Sequence, residues 1–173
     1  SFGQDIVTKS GQLKSVVLEE FTGLNCTFCP DGHRRAKAIQ ASNPDRVVLV
    51  NVHAGFFAAP NGNQPDYRTS GGQELDRYVG VQGYPSGTVN RRTFDSSLDY
   101  GRNLWANYAE IVSNEQSPVN VGARSEYDEA TRTLTVYTEV YYTQNVNLPS
   151  NRLVMVLLQD NIAGPQVGAQ GNP

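Results

Sequence analysis

The sequence predicts an α/β fold followed by part of a β-rich domain, on three observations. Two apolar runs of strand length, 15–21 and 46–53, flank a helical stretch at 30–41, which is the pattern of a βαβ unit. The only two cysteines, Cys26 and Cys29, form a Cys-x-x-Cys pair at the junction between the first run and that helix. Beyond Ser117-Pro118 the character changes to strand candidates at 119–127, 133–142 and 153–159.

Each element has a local reason. Val16, Leu18 and Glu20 share one parity of the first strand, and Val17 and Phe21 the other. Apolar residues on both faces predict a strand covered on both sides, which makes Glu20 conspicuous. Pro30 would break a helix beyond its first turn, so the helix should begin near Cys29 or Pro30, leaving Cys26 in the turn before it. It should end at Ser42-Asn43-Pro44. The run 46–53 then supplies a second, parallel strand.

Residues 54–72 are rich in Gly, Pro, Asn and aromatics and read as a long inserted loop, of a length usual for functional lids or flexible insertions. A short helix at 73–79 follows, then a Tyr84-Pro85 turn leading into a strand. A third helix is expected over 99–115, capped by Asp99, with Leu104, Tyr108, Ile111 and Val112 facing inward. In the last segment 128–131 reads as a hairpin turn. Three strands cannot close a sandwich. Either they pack on the α/β domain or, as the break-off in a Gly/Pro/Asn segment favours, the β-rich segment, 117–173, is incomplete, with the chain continuing past Pro173 or ending in a disordered remainder. Residues 1–14 read as a tail, fraying over 1–11, and 15–116 as the α/β domain.

Composition narrows the function. With 38% hydrophobic and 18% charged residues, 16 Gly and 9 Pro, the chain suits a loop-rich globular protein. A net charge of -3 and no basic run longer than Arg34-Arg35 or Arg91-Arg92 argue against nucleic acid as a partner. No apolar run approaches the roughly 18 to 20 residues of a membrane span. Two cysteines are too few for a disulfide framework, and their spacing suits redox or metal chemistry.

The order strand, Cys-x-x-Cys, helix, strand, insertion, helix, proline loop, strands, helix resembles that of a thioredoxin-like fold, a central mixed sheet flanked by helices. Glu20 stands six residues before Cys26, where thioredoxins carry a buried acid, and Tyr84-Pro85-Ser86 takes the place of their cis-proline loop. The stretches from Glu20 to His33, from Gln82 to Arg91 and from Leu157 to Ile162 are also similar to the thioredoxin-like outer-membrane (lipo)proteins of about twenty-eight kilodaltons from anaerobic Gram-negative bacteria. That resemblance implies an exported protein at the outer membrane or cell surface, held by a lipid anchor outside this chain. Departures from thioredoxin are Asn25 in place of Trp before the pair and Thr27-Phe28 in place of Gly-Pro within it. The inner dipeptide tunes thiol pKa and potential, so the direction of exchange is not carried over.

In the redox reading Cys26, facing a helix N-terminus that stabilises thiolate, is the nucleophile and Cys29 resolves the mixed disulfide. The resemblance implies proton relay by Glu20 and a peptide-presenting backbone at Tyr84 and Pro85. About 5–6% of X-Pro bonds in folded proteins are cis, so the bare sequence predicts trans at Pro85 and the resemblance implies cis. Phe56 and Phe57 in the inserted loop are candidate substrate contacts, or simply cover the sheet. An inert structural disulfide is the competing reading of the pair. Cys26, Cys29, His33 and His53 could supply four zinc ligands, but nothing in the pattern makes them converge, and no metal or cofactor is assigned. Covalent haem attachment needs His directly after Cys29, where Pro30 stands.

The expected function is thus a thiol-disulfide oxidoreductase acting on protein thiols or disulfides. The alternative is a cell-surface adhesin or structural lipoprotein with a non-catalytic thioredoxin-like domain, whose partner would be a host or matrix protein.

Overall fold

In a computed structural model, residues 5–147 and 150–168 are described; the first residues of the expected tail and residues 169–173 lie outside them. In chain order the elements are β1 (Gln12–Leu13), β2 (Val16–Thr22), α1 (Cys29–Ser42), β3 (Val47–His53), α2 (Gly55–Ala58), α3 (Ser70–Val79), β4 (Ser86–Val89), β5 (Tyr100–Gly101), α4 (Trp105–Ser113), β6 (Gln116–Ser117), β7 (Val119–Asp128) and β8 (Thr133–Tyr142). They divide into two compact units, 15–113 with 156–173 and 1–14 with 114–155.

The first unit is mixed α/β. Its sheet runs β3-β2-β4-β5, with β2 parallel to β3 and antiparallel to β4, and β4 antiparallel to β5. β2 is central because it can be buried on both faces: Val16, Leu18 and Phe21 are fully covered, and so are Glu19 and Glu20. One core gathers Val16, Leu18, Ala36, Val89, Trp105 and Tyr108; a second gathers Phe21, Val50, Val52, Ala54 and Val79. α1 starts at Cys29 with Pro30 in its first turn, where the missing N–H is harmless. α3 starts three residues earlier than expected because the Thr69 hydroxyl caps it, accepting from Gly72 N–H at 3.0 Å.

α4 is shorter and rotated relative to the expected helix over 99–115. Leu104 and Ile111, expected inside, are exposed, and Trp105, Tyr108, Ala109 and Val112 are buried. The indole sets this phase: it needs a partner for its N–H and finds the Tyr100 carbonyl at 2.9 Å. Asp99 does not cap the helix; its carboxylate accepts from Gln82 N–H at 3.0 Å and from the Ser86 hydroxyl. The strand expected at 153–159 is absent: those residues carry no regular structure, and Leu153 to Leu158 are exposed. Their apolar run has no paired edge to complete, and without one an apolar sequence does not make a strand.

The second unit is β. β7 and β8, ten residues each, form an antiparallel hairpin paired from Val119↔Tyr142 to Asp128↔Thr133. Its turn is closed by the Asp128 carboxylate, which accepts from Ala130 and Thr131 N–H at 2.9 and 3.1 Å. Residues 5–13, expected to fray as far as residue 11, are held instead. The Glu139 carboxylate accepts from Ile6 N–H at 2.7 Å and Val7 N–H at 3.2 Å. Buried Asn120 donates to the Thr8 and Ser10 carbonyls at 2.6 and 2.8 Å, and β1 pairs with β6. Polar side chains reaching a neighbouring backbone left no periodic signal in the sequence.

Candidate functional site

β2 ends at Thr22, and the chain turns through Gly23, Leu24 and Asn25 before entering α1. Gly23 is required here: any Cβ would run into the Phe57 backbone, and Ala58 N is only 2.5 Å from that position. The Asn25 N–H donates to the Phe57 carbonyl at 3.0 Å, and its amide donates to the Ala59 carbonyl at 2.8 Å. The inserted loop is thereby fastened to the approach to the cysteines. Asn25, a departure from the thioredoxin pattern, is thus a structural tether.

Cys26 and Cys29 form a disulfide with a Cα–Cα distance of 5.4 Å. Cys29 opens α1 and is fully buried; Cys26 lies in the turn before it and is 2% exposed. Cys26 thus lies in the turn just before the helix N-terminus, as expected, but is covered. Part of the cover is residues 163–167 of the same unit. Val167 N–H donates to the Leu24 carbonyl at 2.7 Å, and the Gln166 amide donates to the Gly23 and Cys26 carbonyls at 3.1 and 3.2 Å. Tyr67 of the inserted loop donates its hydroxyl to the Ala163 carbonyl at 3.4 Å. No sequence signal distinguished Gln166, because its contacts are to backbone atoms 140 and more residues away.

The first turn of α1 carries its charge at the surface. Asp31 accepts from Arg34 and Arg35 at 2.9 Å and from Arg102 at 2.5 Å, and Arg102, then Arg35, hold its carboxyl below the usual range. Phe28, between the cysteines, is exposed, with the Arg102 guanidinium 5.8 Å from its ring centre.

Inside, Glu20 is 1% exposed. Burial pushes its carboxyl up, and a contact with His33 on α1, Oε2 to Nδ1 at 3.1 Å, pulls it back down. Its other oxygen, Oε1, has no hydrogen-bond partner. The Tyr84-Pro85 bond is cis. Pro85 packs on α1 at Gly32, where a Cβ would stand 2.9 Å from Pro85 Cβ. The Tyr84 side chain is engaged within the unit: its hydroxyl donates to Asp76 of α3 at 2.5 Å, and its ring closes on Gly55. Burial, then this bond to Asp76, pushes the Tyr84 hydroxyl far above its ordinary value.

The structure therefore brings Cys26, Cys29, Glu20 and Pro85 to the start of α1. Phe56 and Phe57 lie in α2 with their rings edge to face, Phe56 largely exposed, and Phe57 reaches the Tyr84 ring at 6.1 Å. Sequence reasoning missed Glu19, whose buried carboxylate is held by Arg91 at 2.5 and 2.8 Å. It named His33 only as a metal ligand, yet the ring is spent on Glu20. Among the described residues no group of three or more His, Cys, Asp or Glu side chains is gathered for a metal ion.

Two solved structures are similar. HBP35 of Porphyromonas gingivalis is 26% identical, with a TM-score of 0.48 over 67% of this chain and 38% of that one. A structural-genomics protein from Agrobacterium tumefaciens is 12% identical, with a TM-score of 0.45 over 77% of this chain and 76% of that one. The chain thus spans well under half the length of the first. No curated protein sequence matches it. The family described as outer membrane protein Omp28 matches residues 72–172, more than half of the chain, so the chain belongs to that family and is a protein of the outer membrane or cell surface.

Proposed function

We propose that the first unit is a thioredoxin-fold domain whose Cys26–Cys29 pair exchanges disulfides with protein thiols. The observation that carries this reading is the disulfide at the N-terminus of α1, following the central strand, with Pro85 packed one turn further along the same helix. The strand order β3-β2-β4-β5 and the buried acid at Glu20 support it. In the forward step a substrate thiolate attacks Cys26 Sγ, the Cys26–Cys29 bond breaks, and its electron pair leaves on Cys29 Sγ, which takes a proton from the Glu20 carboxyl. The reverse step returns that proton and re-forms the bond. Because the dipole of α1 stabilises a thiolate at Cys26, the thiolate persists on that sulfur when the pair is reduced. The lipid anchor implied by the family resemblance belongs to the same proposal.

The test is the reduction potential of the pair together with insulin-reduction and scrambled-ribonuclease assays on wild type and Cys26→Ser. Exchange in wild type that is lost in the variant is expected. No exchange in either direction by wild type would sink the reading.

One observation favours the second reading, a surface adhesin or structural lipoprotein whose partner is a host or matrix protein. Cys26 is 2% exposed, as suits an inert bridge. That reading expects partner binding to survive Cys26→Ser.

A further inference from the structure

A buried carboxyl is costly unless its oxygens are satisfied. Glu20 satisfies one. Oε2 meets His33 Nδ1 at 3.1 Å; Oε1 is buried without a partner. The free oxygen presses on α1, since a Cβ on Gly32 would stand 2.5 Å from it. Gly32 is three residues beyond Cys29 and His33 four, so both lie about one helical turn from the resolving sulfur, on its side of the helix. The far nitrogen of His33, Nε2, lies 3.4 Å from Thr22 Oγ1, and the ring is 24% exposed. One edge of the imidazole therefore touches the buried acid while the ring reaches solvent.

The rest of the surroundings of Glu20 is uncharged or already engaged. Its sheet neighbours are Asn51 on β3 and Gly87 on β4. Glu19 is occupied by Arg91, and Asp31 by three arginines. Burial, and after it His33, lowers the affinity of His53 at the end of β3 for a proton.

We propose that His33 is the positioning residue of Glu20 and its proton link to solvent, so that the Glu20–His33 pair holds the proton exchanged at Cys29. This rests on the exchange reading above. In resolution of a mixed disulfide, the Cys29 thiol gives its proton to the Glu20 carboxylate and its sulfur attacks Cys26 Sγ. The Cys26–Cys29 bond forms, and the substrate leaves as a thiolate that is protonated by solvent. Glu20 then passes its proton to the imidazole in its Nε2–H tautomer: Nδ1 accepts it, Nε2 gives up its own proton on the side of Thr22 Oγ1 to the solvent that the ring reaches, and the ring is left with the Nδ1–H that donates to the re-formed carboxylate.

The experiment follows the Glu20 carboxyl by ¹³C NMR in the oxidised protein, and separately the pH profile of exchange, in wild type, His33→Leu and His33→Asn. Removing the imidazole removes the influences that pull the Glu20 carboxyl down, so its titration midpoint rises in His33→Leu. The rising limb of the resolution rate moves to higher pH with it, and exchange on that limb slows about tenfold for every pH increment of one by which the midpoint rises. Asn keeps a donor for Oε2 without a charge and moves the midpoint less. An unmoved Glu20 midpoint, or an unmoved profile in an exchange-active His33→Leu protein, overturns the proposal; if Leu does not fold, Asn decides by the same criteria. A moved midpoint in a protein whose wild type exchanges nothing keeps the pairing and overturns the exchange reading instead.

Discussion

Gly32 and Pro85 meet so closely that a methyl group on the glycine would stand 2.9 Å from Pro85 Cβ, as well as 2.5 Å from Glu20 Oε1. Helix propensity alone favours alanine by about 1 kcal/mol, whereas forcing an extra methyl into a packed site costs about 1–3 kcal/mol. The proline ring is rigid and the carboxylate is buried, so the second effect wins. Gly32→Ala is expected to lose up to about 2 kcal/mol, a fall of a few degrees in Tm. Thermal unfolding checks this, and a higher Tm would mean that the Pro85 loop yields freely.

Glu19 and Arg91 form a second built-in dependence. The carboxylate side chain is 4% exposed and held bidentately by a guanidinium from just beyond β4. Arg91→Met leaves a buried charge alone and should cost about 3 kcal/mol, at the lower end for breaking such pairs because the arginine is itself about one third exposed. Glu19→Gln combined with Arg91→Met should recover part of that loss. Chemical denaturation of the three variants measures it; equal stability of the single and double variants would show that Glu19 finds water instead.

Glu20 makes a prediction of opposite sense to the usual acidic residue. Its carboxyl is pushed up on folding, so the native state binds the proton more tightly than the unfolded chain. Its contribution is fully present below the ordinary glutamate value and is lost as pH rises through the raised one. Glu20→Gln imitates the protonated form. The variant should therefore match wild type near pH 4 and become the more stable of the two as pH rises above the usual glutamate range. Tm measured against pH for both proteins tests this. A gap that narrows with rising pH would mean that His33 outweighs burial.

Much of this architecture could be read directly from residue pattern. Val16 to Phe21 announced a strand buried on both faces, Pro30 placed the start of α1 to within one residue, and Glu20 stood out as a carboxyl among apolar neighbours. What escaped depended on partners distant in the chain. Trp105 rotated α4 to reach the Tyr100 carbonyl, Asn120 and Glu139 captured residues 6–10, and Arg91 met Glu19 across 72 positions. The run 153–158 failed for the complementary reason. Apolar composition signals a strand only where an edge is available to pair with it.

The same distance effect leaves Cys26 covered, and the cover can be loosened selectively. Val167 N–H donates to the Leu24 carbonyl at 2.7 Å and holds residues 163–167 over the turn that carries Cys26. Val167→Pro deletes that donor and biases Gln166 toward extended backbone, while leaving β2, α1 and the disulfide untouched. A net hydrogen bond is worth about 0.5–1.5 kcal/mol, so if access to Cys26 requires this segment to lift, reduction of the Cys26–Cys29 bond by a small dithiol should become about three- to tenfold faster. Gln166→Ala, which removes the amide contacts to Gly23 and Cys26, should accelerate it in the same direction. The check is the rate of reduction at equal temperature below both transitions, read by alkylation of the freed thiols. Rates equal to wild type in both variants would place the cover in the Asn25–Phe57 and Asn25–Ala59 contacts, where Asn25→Ala would then carry the acceleration.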